Sequence, residues 1–145
     1  VTALLDVNVL IALLDRRHVH HLAAQRWFQA EGTEDWATCP MTENGVLRIV
    51  GHPRYLNSPG SPALVHPLLR QLRNVGRHVF WQDDFSLLDS SLIDPQAIVS
   101  SDQISDTYLL GLAVKHGGRL ATFDKRLRVT AVVGGDAALL VIPTA

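Results

Sequence analysis

An α/β fold with a largely parallel sheet is what this sequence predicts, and three observations predict it. Short apolar runs (VTALLD, DWATC, HVFWQ, RLATFD and ALLVIP) alternate with longer segments whose apolar residues recur at helical spacing. Strands joined through helical crossovers run parallel to one another. The chain has 145 residues, 47% of them hydrophobic and 19% charged, which suits one domain spanning 1–145 and excludes a disordered chain.

Each element follows from its local pattern. VTALLD is an apolar run closed by an acid, and Val7, Leu10, Ile11 and Leu14 then form an i, i+3, i+4, i+7 stripe, so a strand and a helix meet near Asp6. His18 to His21 interrupt the stripe. HLAAQRWFQAE resumes it with Leu22, Ala23, Trp27 and Ala30, a second helix ending near Gly32. DWATC is β-compatible, and beyond Pro40 the segment MTENGVLRIV predicts a third helix opening near Thr42 and Glu43, weakened by Gly45. Residues 51–62, GHPRYLNSPGSP, are a loop. ALVHPLLRQLRNV is periodic enough for a helix provided that Pro67 falls in its first turn. HVFWQ predicts a strand, SLLDSSLI a short helix, and SDQISDTYLLGLAVKHGG a helix that closes on paired glycines. RLATFD and ALLVIP supply the last two strands.

The longest aliphatic run, Val9 to Leu14, is far short of the roughly 20 residues that cross a bilayer. No basic, apolar leader opens the chain, and the lone Cys39 suits a reducing compartment as a small buried hydrophobe. The expectation is a soluble cytoplasmic protein. With 13 Lys and Arg against 14 Asp and Glu, the formal net charge is −1, which argues against a uniformly basic nucleic-acid coat. Any contact with RNA or DNA would be local.

The chemistry is carried by acids. Asp6 and Asp124 each close an apolar strand, while Glu43 and Asp106 stand near the starts of predicted helices. In open parallel sheets ligands bind beyond the carboxyl ends of the strands, so all four acids are placed to converge on one crevice. Crowded carboxylates repel one another unless a cation is present. Such a crevice suits a hard divalent cation, Mg2+ or Mn2+, held by carboxylates, waters and substrate phosphates. A cation there activates water and stabilises a departing oxyanion, as phosphodiester hydrolysis requires. A structural reading stands beside this one: an acid in a first helical turn is favoured by capping and the macrodipole alone, and a strand end can simply emerge into solvent.

The segments LLDVNVLIALL, TENGVLRIV and ISDTYLLGLAVKHGGRLATFDKRL, with the intervening HxHHxAAxxW pattern, together resemble the PIN-domain family, and within it the VapC toxins of bacterial type II toxin–antitoxin systems. The resemblance covers nearly the full length and keeps the order and spacing of the acids. It implies a three-layer α/β/α sandwich, usually dimeric, that binds Mg2+ or Mn2+ and cleaves single-stranded or looped RNA, with tRNA or rRNA loops as targets and inhibition of translation as the result. It implies products with 5′-phosphate and 3′-hydroxyl ends, and a cognate VapB-type antitoxin that inserts a basic or aromatic segment into the crevice. Carried onto this chain, the metal-binding and catalytic acids are Asp6, Glu43, Asp106 and Asp124. Asn8 stands where it could orient Asp6, and Thr122 fills a small hydroxyl position that supports the site. Asp102, four residues before Asp106, would share its face on a continuous helix and is read as a flank or cap; Asp83 and Asp84 end the HVFWQ strand and could reach the crevice too, but read as exposed loop acids.

The remaining polar features admit two readings each. His18, His20 and His21 lack the i, i+4 spacing of a helical metal site, and a turn packed against Trp27 or facing solvent is expected. Arg70, Arg73 and Arg77 at helical spacing read as a solvated face. Lys125, Arg126 and Arg128 follow Asp124 directly and could engage flanking phosphates, as could Arg16 and Arg17 beyond the first helix. Trp36, Trp81 and Tyr55 could stack on bases, but Trp36 and Trp81 sit in strand-like segments and read as core. Three rival functions remain: a haloacid-dehalogenase-type phosphotransferase, which requires an Asp where Asn8 stands; a receiver domain, which requires an acid pair after the first strand; and a catalytically silent PIN-like binding module. Removing the four proposed ligands from the 14 acids leaves 10 against 13 bases, an acidic crevice in a mildly basic frame.

Overall fold

A computed structural model describes residues 1–144. Five parallel strands, β1 (Ala3–Leu5), β2 (Trp36–Thr38), β3 (His78–Phe80), β4 (Arg119–Thr122) and β5 (Leu139–Val141), form one sheet in the order β3-β2-β1-β4-β5. The helices are α1 (Val7–Leu14), α2 (His21–Ala30), α3 (Pro40–Val50), α4 (Pro62–Leu72), α5 (Ile104–Lys115) and the short α6 (Gly135–Ala138). The chain starts at the centre of the sheet, and its path reverses direction across β1. That reversal opens a crevice beyond the carboxyl ends of β1 and β4.

Alternation along β1 divides the core between the two faces. Ala3 and Leu5 join Val9, Leu10, Trp27, Phe28, Trp36, Val46 and Val65 beneath α1 to α4. Leu4 points the other way, into a second cluster with Leu109, Leu110, Leu112, Trp81 and Leu120 beneath α5. The result is a three-layer α/β/α sandwich. Trp36 on β2 is fully buried and Trp81, directly after β3, nearly so, both core as expected, and Cys39 is a buried free thiol. No helix among the described residues is long and apolar enough to cross a membrane.

Local chemistry explains where the elements depart from the sequence reading. α3 opens two residues early because Pro40 fills its first position, where no amide hydrogen is needed, while the Thr42 hydroxyl accepts from the Cys39 N–H at 3.0 Å. α4 likewise opens at Pro62 and runs through Pro67, which therefore lies mid-helix rather than in the first turn. Pro67 is on the exposed side, where one missing backbone bond is tolerated while Val65 and Leu69 remain buried. SLLDSSLI is not a helix. Ser86 and Ser90 accept from the Leu88 and Leu92 N–H groups, both at 3.1 Å, and these side-chain turns replace helical bonds. Ile93 then pairs antiparallel with Val132. α5 is entered through a 3-10 turn, Ser101–Gln103, and is closed by Gly117 at φ 68, with the Gly118 N–H reaching back to the Ala113 carbonyl at 2.8 Å.

Candidate active site

The junction of β1 and α1 is built around Asp6. As N-cap of α1, its Oδ1 accepts from the Val7 N–H at 2.8 Å, and its Oδ2 accepts from the Thr122 hydroxyl at the end of β4, also at 2.8 Å. Thr122 is fully buried, and its single hydroxyl is saturated. It donates to Asp6 and accepts from Asn8 Nδ2 and the Asp124 N–H, both at 3.1 Å. Asn8 Oδ1 in turn accepts from the Phe123 N–H at 3.2 Å. One network thus ties the ends of β1 and β4 together and fixes Asp6 in place. The amide of Asn8 is spent on that network, at the position where a phosphotransferase would need a second acid.

Three carboxylates share the crevice. Asp6 is 8% exposed, and burial, with a smaller contribution from the charge of Asp124, holds its carboxyl above the ordinary range despite the bonds from Thr122 and Val7. Half-buried Asp106, in the first turn of α5, is pushed up to about 6 by burial and by the charges of Asp6 and Asp124. Among the described residues no Lys, Arg or His forms an ion pair with any of the three. Their repulsion is therefore unrelieved by the protein itself. Asp106 and Asp124 line a cleft of about 240 Å3 together with Ser100, Asp102, Gln103, Arg126 and Arg128.

Glu43 stands one strand away. Its Oε2 accepts from the Thr38 hydroxyl at 2.6 Å and lies 3.4 Å from Arg73 Nη1, and its charge is not among those that raise Asp106. No three His, Cys, Asp or Glu side chains among the described residues converge into a finished ligand cage. A closed cage is not what a hard cation needs, since Mg2+ keeps waters and takes one or two carboxylates plus substrate phosphates. Hard oxygen donors with unrelieved negative charge fit such an ion.

The other sequence candidates separate by position. Arg126 and Arg128 line the acidic cleft, and Arg128 Nη1 donates to Gln103 Oε1 at 3.2 Å. Lys125 is exposed beside it. Arg16 lines a different depression, of about 430 Å3, with Asp15, Arg17 and Asn57. Tyr55 donates to Asp15 at 2.5 Å, which holds that loop to the end of α1. Asp83 accepts from the Tyr108 hydroxyl at 2.7 Å, and Asp84 pairs with His116 at 3.0 Å and with Lys115. Asp102 lines the cleft from the 3-10 turn, where its N–H is capped by Ser100. His21 donates to the Ala12 carbonyl at 2.7 Å, and His20 stacks on Phe123 with ring centroids 5.0 Å apart. Arg73 and Arg77 are ion-paired, to Glu43 and Asp35, rather than simply solvated.

Gln103, Thr38 and Arg73 were not singled out by sequence as site residues, yet each holds one that was. Gln103 is nearly buried and accepts from the Val99 and Ser100 N–H groups while anchoring Arg128. The S-x-x-Q spacing of Ser100 and Gln103 is a capping-box signal that marks this anchor in the sequence.

The PIN domain family model matches residues 3–133. Ribonuclease VapC44 of Mycobacterium tuberculosis is 47% identical over 132 residues, covering 91% of this chain and 92% of that protein. Ribonuclease VapC39 of the same organism is 43% identical over 133 residues, 92% of this chain and 96% of the relative. Ribonuclease VapC29 is 40% identical over 143 residues, 99% and 98% respectively.

Proposed function

Because this chain belongs to the PIN-domain family and to its VapC branch, we propose that its acidic crevice is the active site of a Mg2+- or Mn2+-dependent endoribonuclease. The observation that carries the reading is the set of Asp6, Asp106 and Asp124, whose mutual repulsion no cation of the described chain relieves and where burial, together with the charges of Asp6 and Asp124, pushes Asp106 up to about 6. When bound, a divalent cation supplies charge neutralisation, an activated water and stabilisation of the leaving oxygen.

The protein's own residues do the positioning. Asp6, Asp106 and Asp124 would hold the cation, and Glu43 would serve as a fourth carboxylate only by giving up its contacts with Thr38 and Arg73. Thr122 and Asn8 orient Asp6 through their buried bonds. Arg126 and Arg128, the latter fixed by Gln103, face the same cleft and hold backbone phosphates next to the scissile bond, with Lys125 beside them. Water as the nucleophile leaves 5′-phosphate and 3′-hydroxyl ends, and no RNA 2′-hydroxyl takes part. RNA preference then rests on substrate shape, with exposed tRNA or rRNA loops fitting an open cleft. Cutting them halts translation in the cytoplasm.

A VapB-type antitoxin silences the enzyme by placing an Arg or Lys among the carboxylates, which offers the same charge compensation as the cation. The toxin works as a homodimer, which sedimentation at micromolar concentration tests.

The decisive assay incubates the protein with structured RNA in Mg2+, in Mn2+ and in EDTA, alongside Asp6→Asn and Asp124→Asn. Cleavage is expected with either metal and absent in EDTA and in both variants. Cleavage that survives chelation, or both substitutions, overturns the assignment.

A further inference from the structure

A second cleft, of about 320 Å3, opens between α4 and β3 and is lined by His66, Arg70, Arg73, Asn74 and His78. No acid lines it. His66 and Arg70 stand one turn apart on α4, and Arg73 and Asn74 follow in the turn that ends it. Arg73 is already committed, with its Nη1 3.4 Å from Glu43 and its guanidinium 5.7 Å above the Phe80 ring. Arg70 is exposed and, among the described residues, has neither an ion pair nor a hydrogen bond.

His78 forms the floor as a neutral ring. Burial, aided by the charge of Arg73, pushes it down to about 4. The Thr38 hydroxyl gives its one hydrogen to Glu43, so its oxygen receives the His78 Nε2–H at 2.7 Å. Arg73, Glu43, Thr38 and His78 thus form one continuous chain of contacts along the cleft.

Sheet order gives the cleft its role. β1 and the three aspartates lie at the centre, Arg126 and Arg128 follow β4 on one side, and α4 packs beside β2 and β3 on the other. Glu43 stands in the first turn of α3, beyond the carboxyl end of β2, and Arg73 reaches it from the cleft. A chain laid across the carboxyl ends of β4, β1 and β2 therefore passes the arginines, the acids and Glu43 and arrives at the Arg73 rim of this cleft. We propose that the α4–β3 cleft, through Arg70 with His66 and Asn74, binds a backbone phosphate of the single-stranded RNA substrate on the far side of the acids from Arg126 and Arg128. This rests on the ribonuclease reading and extends it by a second anchoring point. A strand held on both sides presents one phosphodiester to the crevice between them, which restrains where the cut falls.

Binding can be read without cleavage. Anisotropy of a labelled single-stranded oligoribonucleotide is measured in EDTA over about 50–200 mM salt, for the wild type, Arg70→Gln, Arg70→Lys and Arg77→Gln, whose arginine lies outside the cleft. Arg70→Gln is expected to weaken binding about fivefold or more and to lower the salt slope by about 0.7, the value for one phosphate of a single strand. Arg70→Lys should restore the slope, and Arg77→Gln should match the wild type. Thermal melting confirms that Arg70→Gln is folded, as an exposed helical substitution should be. Arg70→Gln and Arg77→Gln behaving alike overturns the proposal. So does inorganic phosphate alone perturbing the His66 NMR resonance as strongly as the strand does. Since no step needs catalysis, an inactive enzyme with intact Arg70-dependent binding refutes only the ribonuclease reading, and an active enzyme indifferent to Arg70 refutes only this one.

Discussion

Neutralising Asp106 should stabilise the protein while abolishing its activity. The carboxyl rises from 3.8 to about 6 in the folded state, for which burial is the first cause and the charges of Asp6 and Asp124 the next. At about 1.36 kcal/mol per pH unit the rise amounts to about 3 kcal/mol. Asp106 is only half-buried, so solvent screening reduces this to about 1.5 kcal/mol. The folded state holds the proton more tightly than the unfolded chain. Stability from this group is therefore complete below 3.8 and is lost as the pH rises through about 6. Asp106→Asn removes that loss at neutral pH. Urea unfolding in EDTA should show the variant more stable than wild type by about 1.5 kcal/mol at pH 7, or about 5 °C in Tm, with the difference vanishing below 3.8. Mg2+ should narrow the gap by stabilising the wild type, as a proposed ligand of the folded carboxylates. A variant no more stable at pH 7, or one whose advantage is independent of pH, would mean that the three carboxylates do not strain one another. The case for a cation in the crevice would then lose its footing.

Three further outcomes follow from other contacts. Thr122→Val keeps the shape but removes a charge-assisted bond to Asp6 and an acceptor for Asn8 and the Asp124 N–H, so stability should fall by about 2–3 kcal/mol and cleavage by about 10–100-fold, with Thr122→Ser recovering both. His78 is held at about 4 against an ordinary 6.5, so the unfolded chain takes up the proton first and stability falls as the pH drops from 6.5 towards 4. Urea midpoints for His78→Gln should be flatter across that interval, and NMR titration should find the His78 ring neutral at pH 6. Asp83→Asn should leave the cleavage rate at its wild-type value, because Asp83 is bound to Tyr108 and does not line the acidic cleft; a large loss in a gel assay would make it part of the active site.

What the sequence disclosed depended on the range of the forces involved. The β1–α1 junction is local: an apolar run, an acid and a helical stripe follow one another, and the structure places Asp6 at their meeting point as N-cap. Trp36 was legible as core because a strand buried on both faces needs apolar residues throughout, whereas Trp81, just past the exposed edge strand β3, is buried because it packs under α5 and stacks on His116. SLLDSSLI was misread because its leucines suit a helix, whereas the Ser86 and Ser90 hydroxyls bond the backbone two residues on. Periodicity carries no trace of that competition. The environment of Glu43 was out of reach for another reason: Arg73, thirty residues later, meets it only because α4 packs on α3.

A strand end emerging into solvent was the rival reading of Asp6, but the carboxylate is buried as the N-cap of α1, and capping leaves it able to hold a cation as well. Oδ1 accepts from Val7 and Oδ2 from Thr122, and an ionised carboxylate oxygen has a further lone pair. Each oxygen thus keeps capacity for a cation while its direction is set by the helix start and by the neighbouring strand. Burial opposes the ionised form, the two bonds favour it, and the charge of Asp124 opposes it again. A bound cation would reverse the effect of Asp124 by drawing both carboxylates to a shared positive charge. Glu43 differs in kind. Its Oε2 is already shared between Thr38 and Arg73, so recruiting it to the same cation requires an ion pair to break. Occupation of the α4–β3 cleft by a phosphate would give Arg73 a competing anion and so loosen its hold on Glu43. Substrate at the second anchoring point would then favour the complete set of four acids.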